Sequence, residues 1–356
     1  MAYNIVYLED QQPDSIEHEL KGNGFSVSHC KPDEFEKTLG DIKALNPDLI
    51  LMDFRLHAGA LDFNAPPFAQ YFRSETTSGN KFIPIVLIST EEIIKQYHKD
   101  YTSFDLFDFA VSKEKFLDNI SIYAQLCTDL IEGYQAIAEI QKSGEHLLEL
   151  LKIPDDISYS IDSRLKDTLS IEQYNIDVYM ASGFILNQIV KPVGLLIGDD
   201  VLSSRLGISS QSEDWEALVE HLKVYRYNGI FSNTYSRWWS AGFDAWWRTN
   251  ISRTHPRRLE AAERKKLIEE KLGLNNLEPL EVVEGAFSSR FWTICSKTSN
   301  ALDPSDGYEL INDGINQPWL EPAYLSFNFL INADGKEINK LKEADRERFK
   351  ENAQNG

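Results

Sequence analysis

Residues 49–56 read LILMDFRL: Leu49, Ile50, Leu51 and Met52 form an unbroken apolar run that stops at Asp53, followed by Phe54, Arg55 and Leu56. A continuous aliphatic run is what a parallel strand covered on both faces requires. A carboxylate at the tip of such a strand is costly unless it is paired, ligates a metal or reacts. The surrounding sequence has to decide among the three.

Four further runs, NIVYL (4–8), FSVSH (25–29), IPIVLIS (83–89) and FAVS (109–112), alternate with amphipathic segments long enough for helices. That is the pattern of successive βαβ units. The expected fold class is α/β: a doubly wound (βα)5 sandwich on a parallel five-stranded sheet, a long last helix, then a mainly helical α+β second domain. Pro13 and Pro32 stand where helices begin, Gly22 and Gly24 close the first helix, and Asn46-Pro47 precede the third strand. Residues 57–81, with Gly59, Pro66, Pro67 and Gly79, read as a longer and looser connection around one short helix near Pro67–Ser74.

Open α/β sheets bind ligands outside the carboxyl ends of their strands. Here the first strand ends in Glu9 and Asp10, the third in Asp53, the fourth in Ser89 and Thr90, and the fifth in Lys113. Three converging carboxylates repel one another unless a cation joins them. An all-oxygen set of this kind suits a hard divalent ion such as Mg²⁺, which also binds phosphate oxygens. The hydroxyl and ammonium on neighbouring strand ends would complete a site for a phosphoryl group.

With these residues in place, residues 3 to about 125 resemble the receiver domain of two-component response regulators. The resemblance implies that Asp53 accepts a phosphoryl group from a phosphohistidine, and that Glu9, Asp10, Asp53 and the backbone carbonyl of Arg55 hold Mg²⁺. It implies that Ser89 and Lys113 contact the phosphoryl group, and that the domain catalyses its own phosphorylation and dephosphorylation. The implied partner is a histidine kinase or phosphotransfer protein. His57 and Glu114 stand where the family usually has prolines, and Ala110 occupies the aromatic switch position; Phe109 could replace it only in a register shifted by one. Arg55 and Glu91 are expected to face each other as an ion pair across the mouth of the site. More distantly, a receiver joined to a Trp-rich region is similar to the receiver proteins of bacterial conflict systems, including the two-component-like antiphage system Detocs, where the role would be a phosphate buffer or switch. An effector enzyme gated by receiver phosphorylation is the alternative.

The whole chain bounds these readings. Its 356 residues, 42% hydrophobic, suffice for about two domains. Expected segments are a receiver over 1–125, an extended helix over 126–153, a linker over 154–175, a Trp-rich α+β domain over 176–335 and a charged terminal helix over 336–356. No apolar stretch is long enough to cross a membrane and no signal peptide opens the chain, so a cytoplasmic location is expected. The three cysteines, Cys30, Cys127 and Cys295, form no disulfide or zinc pattern. A net charge of −20 disfavours DNA as a partner.

Ile120, Tyr123, Cys127, Leu130, Tyr134 and Ile137 follow alternating steps of three and four, resuming in phase at Leu148 and Leu151. The stripe reads either as a last helix packed on its own sheet or as a signalling helix and homodimer seam. The pairs Trp238-Trp239 and Trp246-Trp247 read as core or as a protein partner's surface. LEVVEGAF and AYLSFNFLI read as strands. The run RTNISRTHPRRLEAAERKK around His255 reads as a solvated face balanced by Glu260 and Glu263, or as a site for phosphate, nucleotide or an acidic partner. P-loop, HExxH, GxSxG and paired-cysteine motifs are absent.

Overall fold

In the computed structural model, residues 2–12, 14–58, 61–76, 82–97, 106–170, 177–311 and 317–355 are described. The chain divides into two compact units. One comprises Met1–Leu151, Thr168–Leu186 and Gly229–Thr234; the other comprises Lys152–Asp167, Asn187–Asn228 and Tyr235–Gly356.

The strands of the first unit are β1 (Asn4–Leu8), β2 (Ser26–Cys30), β3 (Leu49–Asp53), β4 (Arg55–Ala58), β5 (Leu61–Asn64), β6 (Ile85–Ser89) and β7 (Phe109–Ser112). Five of them form one parallel sheet in the order β2-β1-β3-β6-β7. Counted among these five alone, the order is 2-1-3-4-5, the doubly wound arrangement of the receiver fold. The helices are α1 (Asp14–Gly22), α2 (Phe35–Ala44), α3 (Ala65–Thr76), α4 (Glu91–Tyr97), α5 (Lys113–Asp118) and α6 (Ile120–Ser143). The aliphatic runs explain the sheet. All five residues of β3 and all five of β6 are buried, and each fully buried aliphatic side chain contributes roughly 1.5–3 kcal/mol.

The connection after β3 differs from the loose loop that the sequence suggested. Asp53 and Phe54 lead straight into an antiparallel hairpin, Arg55 opposite Asn64 and Leu56 opposite Phe63, which hands over to α3. The Ala65 amide donates to the Phe54 carbonyl at 2.8 Å and closes the base of the hairpin. Pro66 and Pro67 occupy the first turn of α3, where no intrahelical donor is needed. Gly59 and Gly79 lie outside the described residues.

Helix α6 buries more than the single stripe read from its sequence. Cys127, Leu130, Tyr134 and Ile137 are buried, and so are Leu126, Asp129 and Gly133 on a second stripe. That second stripe serves the later segments of the same unit. Asp129 accepts hydrogen bonds from Asn233 Nδ2 at 3.0 Å and from the Thr234 amide at 2.8 Å. A Cβ on Gly133 would stand 2.9 Å from the Phe231 ring. The helix ends at Gly144, whose φ of 77° gives the left-handed cap.

One buried polar network ties α3, β6, β7 and α6 together. Arg73 donates to Asp108 Oδ2 at 3.0 Å, to the Ile83 carbonyl at 3.2 Å and to the Tyr134 hydroxyl at 3.3 Å. The Tyr134 hydroxyl donates to Asp108 Oδ1 at 2.5 Å, and the Ile85 amide donates to Asp108 Oδ2 at 2.8 Å. The Arg73 and Asp108 side chains are 7% and 4% exposed, so removing either leaves the other charge stranded in low dielectric.

In the second unit, tryptophan supplies the core. Trp215, Trp238, Trp246 and Trp247 are buried with Phe243, Leu202, Leu218 and Ile268. Leu196–Ile197 pairs antiparallel with Trp238–Trp239, and helices Asp199–Leu206, Trp215–Glu220, Ser240–Trp246 and Ala261–Leu272 contribute to the same cluster. The Trp238 indole donates to Asp199 Oδ1 at 2.6 Å. Two strand readings are corrected. Residues 280–287 form no strand, and only Tyr324–Leu325 of AYLSFNFLI pairs, because the Ser326 hydroxyl caps a short helix, Phe327–Ile331.

Asp108→Ala should lower the stability of the first unit by about 3–5 kcal/mol, the cost of breaking a buried ion pair from one side. Native-state hydrogen exchange of amides in β6 and α6 measures this. Unchanged protection would show that the network does not hold the unit together.

Candidate phosphoacceptor site

The sheet register brings the strand ends to one level. Asp53 pairs with Ile88, and Ser89 with Ser112, the residue before Lys113. Asp53 is 8% exposed. Its Oδ1 accepts from the Ser89 hydroxyl at 2.7 Å and from the Phe54 amide at 2.6 Å, while its Oδ2 accepts from Lys113 Nζ at 2.7 Å. The same ammonium donates to Glu9 Oε2. Lys113 thus bridges two carboxylates on different strand ends.

Glu9, 2% exposed, is further held by the Tyr7 hydroxyl at 3.0 Å and the Gln11 amide at 3.3 Å. Tyr7 was not singled out in the sequence. Its signal was there, since residues two apart on a strand share a face and Tyr7 precedes Glu9 by two. Burial and then Glu9 raise the Tyr7 hydroxyl above the usual tyrosine range, so it remains a donor. Glu9, Asp10 and Asp53 each offer an oxygen within 4.8 Å of the others. Three hard oxygens at that spacing fit a divalent cation such as Mg²⁺.

Of the six residues named from the sequence, Glu9, Asp10, Asp53, Ser89 and Lys113 come together here through their side chains. Arg55 begins β4, opposite Asn64, with its side chain exposed. The expected Arg55–Glu91 ion pair is absent. Glu91 instead pairs with Lys95 at 3.3 Å, one helical turn on, and with Lys115 at 3.4 Å. Nor does Phe109 take the place of Ala110. Ala110 pairs with Leu87 and packs in the core beside it, whereas the Phe109 ring stacks on Tyr123 of α6 at 5.8 Å.

Burial pushes the Asp53 carboxyl above the usual aspartate range, against the opposing pull of Lys113 and Ser89. Burial works to lower the Lys113 ammonium, but hydrogen bonds and charge from Asp53 and Glu9 outweigh it and raise the group. The site therefore holds a protonated lysine against an excess of negative charge.

That balance has a consequence for stability. A carboxyl raised above its unfolded value, about 3.9, favours folding below that value, and the contribution is lost as pH rises through the folded value. At neutral pH the ionised Asp53 is a net cost. Asp53→Asn leaves Lys113 paired with Glu9 and should resist urea at least as well as the wild type at pH 7. The two unfolding curves should converge towards pH 4. A variant clearly weaker than the wild type at pH 7 would contradict the assignment of that cost.

No protein-family model matches the chain, and no curated protein does. Solved structures are similar over its N-terminal part. The chemotaxis response regulator CheY4 of Vibrio cholerae is 16% identical, over 32% of this chain and 88% of its own, with a TM-score of 0.25. NtrX from Brucella abortus is 16% identical over 40% of this chain and 31% of its own, TM-score 0.33. Full-length FixJ from B. japonicum is 13% identical over 51% of this chain and 98% of its own, TM-score 0.31. Each is similar to the part of the chain that carries the parallel sheet, and the chain spans less than a third of NtrX.

Proposed function

We propose that the chain is a response-regulator-like phosphoacceptor of a histidine-to-aspartate phosphorelay, with Asp53 as the acceptor. The observation that carries this reading is the convergence on Asp53 of the Ser89 hydroxyl and the Lys113 ammonium, beside Glu9 and Asp10. In the transfer, an Asp53 oxygen attacks the phosphorus of a phosphohistidine. The P–O bond forms as the P–N bond breaks, and the imidazole nitrogen keeps the electron pair and takes up a proton.

Glu9, Asp10 and Asp53, with the carbonyl of Arg55, would hold Mg²⁺. The bound ion supplies charge neutralisation at the phosphoryl oxygens. Ser89 and Lys113 touch the acceptor, which supports a role for both as donors to the incoming group. The partner is a histidine kinase or phosphotransfer protein, and the expected setting is the cytoplasm. The resemblance to receiver proteins of bacterial conflict systems extends the proposal to antiphage defence, as a store of phosphoryl groups or as a switch.

Intact-mass spectrometry after incubation with a small phosphodonor and Mg²⁺ tests the acceptor. The wild type should gain one phosphoryl mass and Asp53→Asn none; a persistent gain in the variant would refute the assignment. Lys113→Ala should still be phosphorylated, yet hydrogen exchange in β7 and α6 should no longer respond to it. A wild-type response in that variant would remove Lys113 from its role.

A further inference from the structure

A basic loop in the second unit is left unused by the phosphoacceptor reading. Residues 248–258, RTNISRTHPRR, contain four arginines and a histidine but no carboxylate, in a chain of net charge −20. Arg253, Thr254, His255, Arg257 and Arg258 line one open cavity of about 590 Å³.

The carboxylates that follow in sequence do not neutralise this loop. Glu260 is engaged by the Ser289 hydroxyl and by Arg290 Nε at 2.8 Å, and forms a capping box with Glu263 at the start of helix Ala261–Leu272. Lys265 and Lys266 pair with Glu269 and Glu270 along that helix. Among the described residues, Arg253, Arg257 and Arg258 form no ion pair within 4.0 Å. Exposed guanidiniums crowded together without counter-charge repel one another, and an anion relieves that repulsion.

The backbone beneath them is fixed. The buried Trp247 donates its indole N–H to the Thr254 carbonyl at 2.9 Å, and Pro256 is buried. His255 Nδ1 accepts from the Arg257 amide at 3.2 Å, which places the ring proton on Nε2, and Nε2 faces Asp244 Oδ1 at 3.7 Å. Arg264, fully buried, donates from Nε to the Leu259 carbonyl at 3.0 Å and from Nη1 to the carbonyls of Ser204, Arg205 and Phe291. Burial pulls its guanidinium down to about 10, still protonated at neutral pH, and it adds positive charge behind the loop.

We propose that this loop is the binding site of a small molecule carrying a diphosphate or triphosphate, gripped by Arg253, Arg257 and Arg258. Guanidiniums match phosphate oxygens through paired N–H groups. A cavity of about 590 Å³ has room for more than one phosphate group beside these three arginines. The net charge of −20 works against a long nucleic acid, whose phosphates would extend beyond the loop.

Calorimetric titration of the full chain, with EDTA present to exclude divalent ions, tests the site with four probes: orthophosphate, pyrophosphate, tripolyphosphate and ATP. Pyrophosphate and tripolyphosphate should bind saturably, one per chain, at least tenfold more tightly than orthophosphate. ATP binding more tightly than tripolyphosphate would assign the ligand to the nucleotides; equal binding would assign it to the phosphate chain alone. The variant R257Q/R258Q should lose at least tenfold in affinity with an unchanged melting profile, while Lys266→Gln on the adjoining helix and Asp53→Asn at the acceptor should bind as the wild type does. Absence of saturable binding overturns the proposal. So does wild-type affinity in R257Q/R258Q, or orthophosphate binding as tightly as pyrophosphate.

Discussion

Lys113 bridges the buried carboxylates of Glu9 and Asp53 at the carboxyl ends of the central strands. Two unit charges 4 Å apart interact by about 4 kcal/mol at an effective dielectric constant of 20, so repulsion between the pair would be large without the ammonium between them. The bridge joins the ends of β1 and β3 to the start of α5, and its three residues are separated in sequence by 44 and then 60 positions (53 − 9; 113 − 53). It can form only if those strands end at the same level. A slip of one residue in any of them would turn its end group to the other face. The register that buries the aliphatic runs and the register that builds the site are therefore one and the same.

This coupling explains why the first unit was readable. The hydrophobic runs specify five strands, with β1 at 4–8 and β7 at 109–112 as the sequence suggested, and whatever follows each run is carried to the rim. The hairpin of β4 and β5 was not readable. Each arm has four residues, RLHA and LDFN, too short to show a clear alternation, and it reads as a loop once Gly59 and the two prolines are noticed. The partner of Glu91 was unreadable for a similar reason. Whether it faces Arg55 depends on the path of the chain across the rim, whereas Lys95 lies one turn along the same helix.

The second unit resisted reading because its periodicities mislead. Arg264 lies in a run of charges that looks like a solvated helix face, yet its guanidinium is fully buried and takes backbone carbonyls. Arg205 is fully buried too, paired with Glu321, 116 positions away, and stacked over Trp292. No local pattern announces a buried arginine whose partners come from distant loops. Tryptophan pairing was more informative, since adjacent indoles at 238–239 and 246–247 can both be buried only where several short elements converge.

The residue at position 110 bears on how the site could communicate. Ala110 has no ring to move, and Phe109 is committed to Tyr123 on the other face of the sheet. Strand β7 nonetheless has a polar anchor at each end. Lys113 follows it at the site, and Asp108 precedes it inside the network of Arg73, Tyr134 and the Ile85 amide. Four strand residues lie between the anchors, each paired with a residue of β6. A strand bonded in this way moves as a piece, because displacing one end without the other would break ladder hydrogen bonds at a cost comparable with the movement itself. A shift of Lys113 towards a new negative charge would therefore be felt at Asp108, and through Tyr134 in α6, with no rotamer change at position 110.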